Sequence, residues 1–433
     1  MKYSLINPDW TFGGSIYFGC REPHLPLEYG YAKALLERVG HDVLLIDGHR
    51  DGLPAQAIAQ QTHAFAPDII VITTAPSYLF WRCAPPELRA PLEIVRAVRE
   101  SGALTVAVGP HGSTTPEAVM KKLGVDRVIR GEPEEVLPLL AQDPGRGKTI
   151  PSVFWREEGG AGRRGTPHES DMAALPALRW PREVLARRRH HHHRFDCAPG
   201  QTGAPGAEVE SSRGCPYSCS FCARETFRGR YRRRPVPVVL EEIDDLVSKG
   251  VSYLYFIDEL FMPDSALLAA VGERDVAFGI QTRIDLWTPE LLERLGAAGC
   301  VSIEAGIESA SEAARLALGK RCMKTNSELI DLLKCARDHV PFVQATLLAS
   351  DADDPALTAE WRDLLLRSNV WTNEPVPLFP YPGSQEYAKR WGPPDEYAWE
   401  RAHGCYLQQH SAFSDIQEER PLPLARLEAG GGR

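Results

Sequence analysis

The sequence predicts an α/β protein: a doubly wound, Rossmann-like domain over residues 1–145, a connector over 146–206, a (β/α)6 partial barrel over 207–385 and a short C-terminal extension over 386–433. Three observations carry this. Apolar runs of strand length alternate with helical spacing through both halves of the chain. Gly (36) and Pro (35) punctuate the runs, as in loop-rich α/β enzymes. The length, 433 residues, suits two or three domains that each bury a core. The 43% hydrophobic and 25% charged residues are ordinary for globular protein and exclude disorder, collagen-like repeats and coiled coil. A net charge of -9 argues against general nucleic-acid binding.

The elements follow in order. Tyr3 to Asn7 is a short apolar run ending in Asn-Pro, and helical spacing over 25–39 is closed by Gly40. A strand over 42–46, a helix over 54–65 and a strand over 69–73 come next, then a helix over 87–101 and a strand over 104–108. A helix over 116–123 leads into a last strand at 127–130. Continuous apolar runs separated by helices indicate a parallel sheet covered on both faces, whose ligands sit beyond the strand carboxyl ends. In the connector, Val153-Phe154-Trp155-Arg156 followed by Glu158-Gly159-Gly160 reads as a small hairpin. The second series has strands at 208–212, 252–257, 277–284, 301–307, 342–349 and 374–379, with intervening helices such as 238–249, 289–298 and 327–339. Six βα units predict a barrel or open barrel with its site at the strand C-terminal ends. A helix around 384–390 precedes aromatic and polar sequence of no clear class, and the tail from Glu428 reads as disordered.

Ten cysteines are the unusual part of the composition. The start, Met1-Lys2-Tyr3-Ser4-Leu5-Ile6-Asn7, has too short an apolar run for a signal peptide, and stretches such as 68–75 are far short of a membrane span. A cytoplasmic, reducing setting is therefore expected, with no membrane and no nucleic-acid partner; there, clustered cysteines bind metal or act in catalysis.

The sharpest signal is Ser211-Ser212-Arg213-Gly214-Cys215-Pro216-Tyr217-Ser218-Cys219-Ser220-Phe221-Cys222, directly after a predicted strand. A C-x3-C-x2-C loop can give one thiolate to each of three irons of a cubane and leave the fourth iron open to a small molecule. Structural zinc would need a fourth, closing ligand, such as Cys197 or a nearby histidine.

The loop resembles that of the radical S-adenosylmethionine (SAM) superfamily, whose hallmark it is, and the resemblance extends along the barrel. It implies that Cys215, Cys219 and Cys222 hold a [4Fe-4S] cluster and that Phe221 packs near the adenine of SAM. Tyr255-Phe256-Ile257-Asp258-Glu259 resembles the second-strand segment, which implies Asp258 and Glu259 at the methionine amino end. Gln281-Thr282-Arg283-Ile284-Asp285 and Glu304-Ala305-Gly306-Ile307-Glu308-Ser309 resemble the third- and fourth-strand segments around ribose and carboxylate. Arg283 would suit the carboxylate, since a guanidinium binds it in bidentate fashion, with Glu304, Glu308 and Ser309 nearby. Leu378 to Ser384 resembles the closing segment, whereas Ser350-Asp351-Ala352-Asp353-Asp354-Pro355 departs from the usual Gly/Pro-rich fifth-strand end. Each residue also has a plainer structural role open to it: Asp258 and Glu259 as helix caps, Arg283 as partner of a barrel acid.

A doubly wound domain ahead of such a barrel resembles the cobalamin-binding arrangement of B12-dependent radical SAM enzymes. The implied contacts follow strands three, four and five: Thr74 and Ser77; Gly109, His111 and Gly112; Arg130 and Glu132. The glycines would let backbone approach a flat macrocycle. Asp47-Gly48-His49-Arg50-Asp51-Gly52 spells D-x-H-x-x-G, a cobalt-ligating signature elsewhere, but here it follows the second strand and is set aside. A competing reading puts an auxiliary iron–sulfur cluster on Cys20 and Cys83, with Cys197, Cys322 or a histidine completing it; Cys300 and Cys335 read as core.

Two basic runs complete the picture. The run 187–194, Arg- and His-rich, reads as a polar linker or an anion site, and Arg228-Gly229-Arg230-Tyr231-Arg232-Arg233-Arg234 follows the cluster loop. Guanidinium-rich segments at one crevice suggest a phosphorylated or nucleotide-like small-molecule substrate, with Arg232 and Arg233 as its contacts. The resemblance implies reductive SAM cleavage to a 5′-deoxyadenosyl radical that attacks an unactivated carbon, electrons coming from an external donor such as flavodoxin or ferredoxin. The outcome expected is methyl transfer with cobalamin; sulfur insertion or another atom replacement would go with the auxiliary cluster.

Overall fold

In the computed structural model the described residues are 1–11, 23–77, 84–143, 145–155, 165–186, 205–413 and 425. The first sheet contains β1 (Lys2–Asn7), β2 (Asp42–Asp47), β3 (Ile69–Thr73), β4 (Leu104–Val108), β5 (Arg127–Ile129) and β6 (Val153–Phe154) in the order β2-β1-β3-β4-β5-β6. Its first five strands are parallel, with Leu5 opposite Leu45 on one side and Val71 on the other. Every residue of β3 is buried, as its unbroken Ile/Val run requires of a strand covered on both faces. The covering helices are α1 (Leu27–Arg38), α2 (Gly48–Asp51), α3 (Ala55–Phe65), α4 (Arg89–Val98), α5 (Pro110–Thr114), α6 (Pro116–Leu123) and α7 (Val136–Gln142). The strand order turns back between β1 and β3, so the crevice for a ligand opens there. This explains why His49 is poorly placed for one: it follows β2, at the sheet edge.

Only the first strand of the predicted connector hairpin falls among the described residues. Val153 and Phe154 pair antiparallel with Ile129 and Val128 and so extend the first sheet; Glu158 to Gly160 lie outside the described residues. Further along, Leu175, Leu178 and Trp180 join the barrel's apolar core together with Leu25, Tyr31 and Leu35 of the first domain.

After α8 (Arg182–Leu185) the second sheet begins with β7 (Gly206–Val209), while β8 (Ser212–Arg213) leaves it to form a two-stranded ribbon with β9 (Arg232–Arg233). Then come α9 (Val236–Ser248), β10 (Tyr253–Phe256), α10 (Ser265–Val271), β11 (Ala277–Thr282), α11 (Pro289–Ala297), β12 (Cys300–Glu308), α12 (Glu312–Ala317), α13 (Asn326–His339), β13 (Phe342–Ala349), α14 (Pro355–Arg367), β14 (Trp371–Thr372) and β15 (Val376–Pro377). The order β7-β10-β11-β12-β13-β14 is parallel throughout, and β15 also pairs with β13. Of the predicted sixth strand, 374–379, only Val376 and Pro377 pair, as β15; β14 precedes it, and Pro375 in the gap between them lacks the N–H a ladder needs. Asn373 fills the gap with its side chain, accepting from Leu347 N at 2.7 Å and donating to Leu347 O at 2.8 Å.

The C-terminal sequence without a clear class folds as α15 (Gln385–Trp391) and α16 (Ala398–Ala412). Trp399 of α16 is buried, donates to Thr115 Oγ1 at 2.7 Å, and lies 4.2 Å, ring to ring, from His111. The extension thus closes over the ligand face of the first domain rather than trailing from the barrel.

Candidate active site

Cys215, Cys219 and Cys222 line one cavity of about 270 Å³. Barrel strand ends supply Glu259, Arg283 and Glu308 to the same wall, and the first domain supplies Ala84 and Pro110. The cluster loop is held from several sides. Gly214 has φ +77, and Arg230 O stands 2.0 Å from where a Cβ would be. Its N–H donates to Glu259 Oε2 at 2.9 Å. Arg224 donates to Gly229 O (2.6 Å) and Ser218 Oγ (3.2 Å). Ser220 N donates to Leu318 O at 2.8 Å, and Ser220 O accepts from Glu386 N at 3.1 Å.

The donor set fits a polynuclear cluster. The three thiols line one cavity, and among the described residues no fourth Cys or His lines it with them. A cubane needs only one thiolate for each of three irons, whereas a closed tetrahedral zinc site needs a fourth ligand. Burial raises the Cys215 and Cys219 thiols above the usual range, with Arg224 beside Cys215, Lys320 beside Cys219 and Arg283 beside both lowering them in part; metal binding would ionise them.

Arg283 offers an open donor beside the thiols. Its guanidinium holds Asp285 through Nε (3.1 Å) and Nη2 (2.8 Å), while Nη1 is buried with no hydrogen-bond partner among the described residues. A carboxylate entering the cavity would satisfy it. Glu308 has φ +67 where the β12–β13 register slips, and it is ion-paired with Lys320, which also donates to Gly306 O at 2.5 Å. Bulges at strand ends re-aim side chains toward sites. Phe221 lines the cavity as well.

Other barrel residues singled out in the sequence are directed elsewhere. Asp258 accepts from Ser211 N (2.8 Å), Ser211 Oγ (2.5 Å) and Ser212 Oγ (2.6 Å), and burial pushes its carboxyl up to about 7. It shapes the approach to the cluster loop and is not on the cavity wall. Glu304 accepts from Tyr255 OH at 2.9 Å, and Ser309 donates to Asp353, so the departing fifth-strand segment is tied to the fourth.

On the first domain, Thr74 and His111 meet through Oγ1 and Nδ1 at 3.2 Å, with Nε2 of His111 on Pro85 O at 2.8 Å. Burial lowers this imidazole to about 4, so it is neutral, with both nitrogens engaged. Ser77 donates to Glu28 Oε2 at 2.5 Å. Gly109 caps α5 with φ +120. Gly112 and Glu132, both expected to meet a ligand, have structural partners. The space beside Gly112 is filled by Val128 Cγ1, 2.5 Å from where a Cβ would be, so packing alone already accounts for this glycine. Glu132 is buried among Arg213 (3.0 Å) and Arg232 (3.1 Å), and Ser170 N donates to it at 2.9 Å; burial raises its carboxyl, yet the guanidiniums win and hold it at about 2. Arg130 donates to Ser113 O and Gly165 O.

Arg232 and Arg233, expected as substrate contacts, each have partners within the chain. Arg232 is consumed by Glu132 and Ser170 O, and Arg233 pairs with Asp264 at 2.8 Å. The run's cavity-lining cation is Arg228. Sequence reading missed it, along with Arg224, Lys320 and Glu28; the run itself was the signal, but nothing in its spacing told which guanidinium turned inward. Cys20, Cys83, Cys197 and the 187–194 run lie outside the described residues.

Fold and site together define a doubly wound domain joined to a partial barrel that carries a three-cysteine cofactor loop. The Radical SAM superfamily model matches residues 209–358 and the B12 binding domain model matches residues 21–141. The chain belongs to the radical SAM proteins that carry a B12-binding domain. A protein of Pyrococcus horikoshii described as an uncharacterized methyltransferase is 27% identical over 352 residues, 78% of this chain and 71% of the relative. Anaerobic magnesium-protoporphyrin IX monomethyl ester cyclase of Cereibacter sphaeroides is 26% identical over 403 residues, 88% of this chain; the chain spans 63% of that cyclase, less than two thirds of it. In fold, the radical S-adenosylmethionine methyltransferase TsrM of Kitasatospora setae, solved with cobalamin and a [4Fe-4S] cluster, superposes with TM-score 0.73 at 18% identity, over 90% of this chain and 77% of that one. The cobalamin-dependent radical enzyme OxsB superposes with TM-score 0.67 at 17% identity, over 83% of this chain and 51% of that one. Among the described residues no helix is long and apolar enough to cross a membrane.

Proposed function

We propose that the chain is a cobalamin-dependent radical SAM methyltransferase acting on a small molecule at the cavity between its two domains. One observation carries the reading: Cys215, Cys219 and Cys222 share a single cavity wall with Ala84 and Pro110 from the first domain's ligand face. A [4Fe-4S] cluster on the three thiolates, with SAM and cobalamin, supplies the one-electron and methyl chemistry. The chain's residues then bind and orient. Arg283 would hold the SAM carboxylate, Glu259 its amino end and Phe221 its adenine, all three lining the cavity. Pro110, Ala84, Phe227 and Tyr381 close the apolar side and keep water from reactive carbon. The electron donor is an external flavodoxin- or ferredoxin-like protein, in a reducing cytoplasm.

A phosphorylated or nucleotide-like substrate loses its support, because Arg232 and Arg233 are spent on Glu132 and Asp264. The likeness to the cyclase favours radical ring closure as a second reading. Anaerobic reconstitution with iron, sulfide and cobalt counts, followed by turnover with methyl-labelled SAM, tests both. About four irons per chain with cobalt bound is expected, and label in the product. About eight irons without cobalt would point instead to a second cluster at Cys20 and Cys83. SAM cleavage without label transfer would favour ring closure, and no 5′-deoxyadenosine at all would overturn the reading.

A further inference from the structure

Arg228 sits almost fully buried at the junction of the two domains and forks to three carboxylates. Nη2 donates to Glu28 Oε1 at 3.2 Å; Nη1 donates to Glu210 Oε1 at 3.1 Å and Glu259 Oε1 at 3.0 Å. The outer carboxylates each reach further. Glu28, on α1, accepts from Ser77 Oγ beyond the end of β3, at the crevice of the first domain. Glu259 accepts from Gly214 N, the residue before Cys215. An unbroken hydrogen-bonded line therefore runs Ser77–Glu28–Arg228–Glu259–Gly214, from one domain's ligand face to the cluster loop.

We propose that Arg228 is a positioning residue that fixes Glu259 and the cluster loop relative to the first domain, with Glu28 as its anchor there. The chemistry of the fork supports this. A guanidinium is planar and presents donors in fixed directions, so its hold on Glu28 sets where Nη1 can place Glu259. Glu210 is held by Arg213 as well, at 2.9 Å, so withdrawing or displacing Arg228 leaves chiefly Glu28 and Glu259 uncompensated beside it, and the low local dielectric magnifies the repulsion among them. Glu259 is the member with room to move, since it borders the cavity. Loosening the fork thus releases Gly214 and, with it, the entry to Cys215. Lysine at 228 keeps the charge but reaches as a point and cannot bridge Glu28 and Glu259 in the same geometry.

The role given to SAM here rests on the function proposed above, whereas the effect on the loop does not. Two variants test it, Arg228→Lys and the isosteric Glu28→Gln, alone and combined. In the apo-chain, alkylation of Cys215 is followed by peptide mass analysis; in the reconstituted chain, SAM affinity and the SAM-induced change in the cluster's electron paramagnetic resonance are followed. Both variants are expected to speed Cys215 alkylation and to weaken SAM binding about tenfold, within the usual range of coupling between sites. The double variant is expected to be no worse than Arg228→Lys, because both break one line. Alkylation and affinity both unchanged in the two single variants, or additive losses in the double, would overturn the proposal. Should Arg228→Lys fail to fold, Glu28→Gln decides alone. A wild-type chain that binds no SAM would defeat the proposed function and leave the alkylation result standing as the test of the fork.

Discussion

The guanidinium of Arg283 lies 3.7 Å from the centroid of the Tyr217 ring, so a residue at the end of β11 is stacked on the cluster loop itself. The stack and the Asp285 pair orient the fork of this cavity-lining residue and leave Nη1 without a hydrogen-bond partner among the described residues. A cation desolvated over an aromatic face is worth up to about 2 kcal/mol, and a charge-assisted hydrogen bond about 1.5–3 kcal/mol. Arg283→Gln is therefore expected to keep the cluster and weaken SAM binding by about ten- to a hundredfold. Tyr217→Leu should weaken it in the same direction by less. Iron counts together with SAM titration check this; unchanged affinity in Arg283→Gln would remove the residue from the site.

Arg232 and Arg233 are adjacent in sequence, yet their substitutions should behave differently. Arg232 is mostly buried against Glu132, so Arg232→Ala leaves a buried carboxylate short of a partner and is expected to cost about 2 kcal/mol or more. Arg233 is 42% exposed and pairs with Asp264, so Arg233→Ala should cost no more than about 0.5 kcal/mol. Urea unfolding of the apo-chain measures both. Neither should change substrate KM; a selective rise in KM for either would restore the anion-site reading.

What the sequence made legible follows from how each feature is encoded. The β1 to β5 series and the six barrel strands are written in local apolar runs, so their positions were readable to within a few residues. The cysteine loop was readable because its spacing is itself the chemistry. The direction of a charged side chain is not local information. Glu132 and Arg232 are 100 positions apart in sequence and meet across the domain junction, and nothing near either residue announces the other. Gly112 shows the same limit: a glycine required by the bulk of Val128 looks, in sequence, like one required by a ligand. Helix α16 was hidden because its aromatic residues pack across the junction, Trp399 against Thr115, His111 and Tyr381 and Tyr406 against Phe379, and nothing local announces those partners.

His111 gives a stability signature in pH. Its imidazole is buried and lowered to about 4, against 6.5 when exposed. Between those values the unfolded chain binds more protons than the folded one, so this residue's contribution to stability is whole above pH 6.5 and lost as pH falls toward 4. The loss is about 1.4 kcal/mol per pH unit within that window. Glu28 and Asp258, both raised to about 7, act with the opposite sign over part of the same range, so the comparison is wild type against His111→Gln. The variant's stability should fall less steeply from pH 6.5 to 4.5 in parallel denaturant titrations; equal slopes would mean that the imidazole titrates normally.

Two glycines with left-handed backbone separate strain from collision. Gly250 has φ +97 and nothing within 4 Å of a built Cβ, so Gly250→Ala meets only the backbone penalty of about 1–2 kcal/mol. Gly214 has φ +77 and, in addition, the carbonyl of Arg230 at 2.0 Å, which is backbone and cannot swing aside. Relief in Gly214→Ala must come from moving the loop away from Glu259, since the β8–β9 ribbon fixes the other side. Gly250→Ala is expected to lower the unfolding midpoint and still take up the full complement of iron. Gly214→Ala is expected to lose most of its iron on reconstitution, at a cost in apo-chain stability no larger than a few kcal/mol. Full iron uptake by Gly214→Ala would show that the loop can reach the cluster without the conformation this glycine provides.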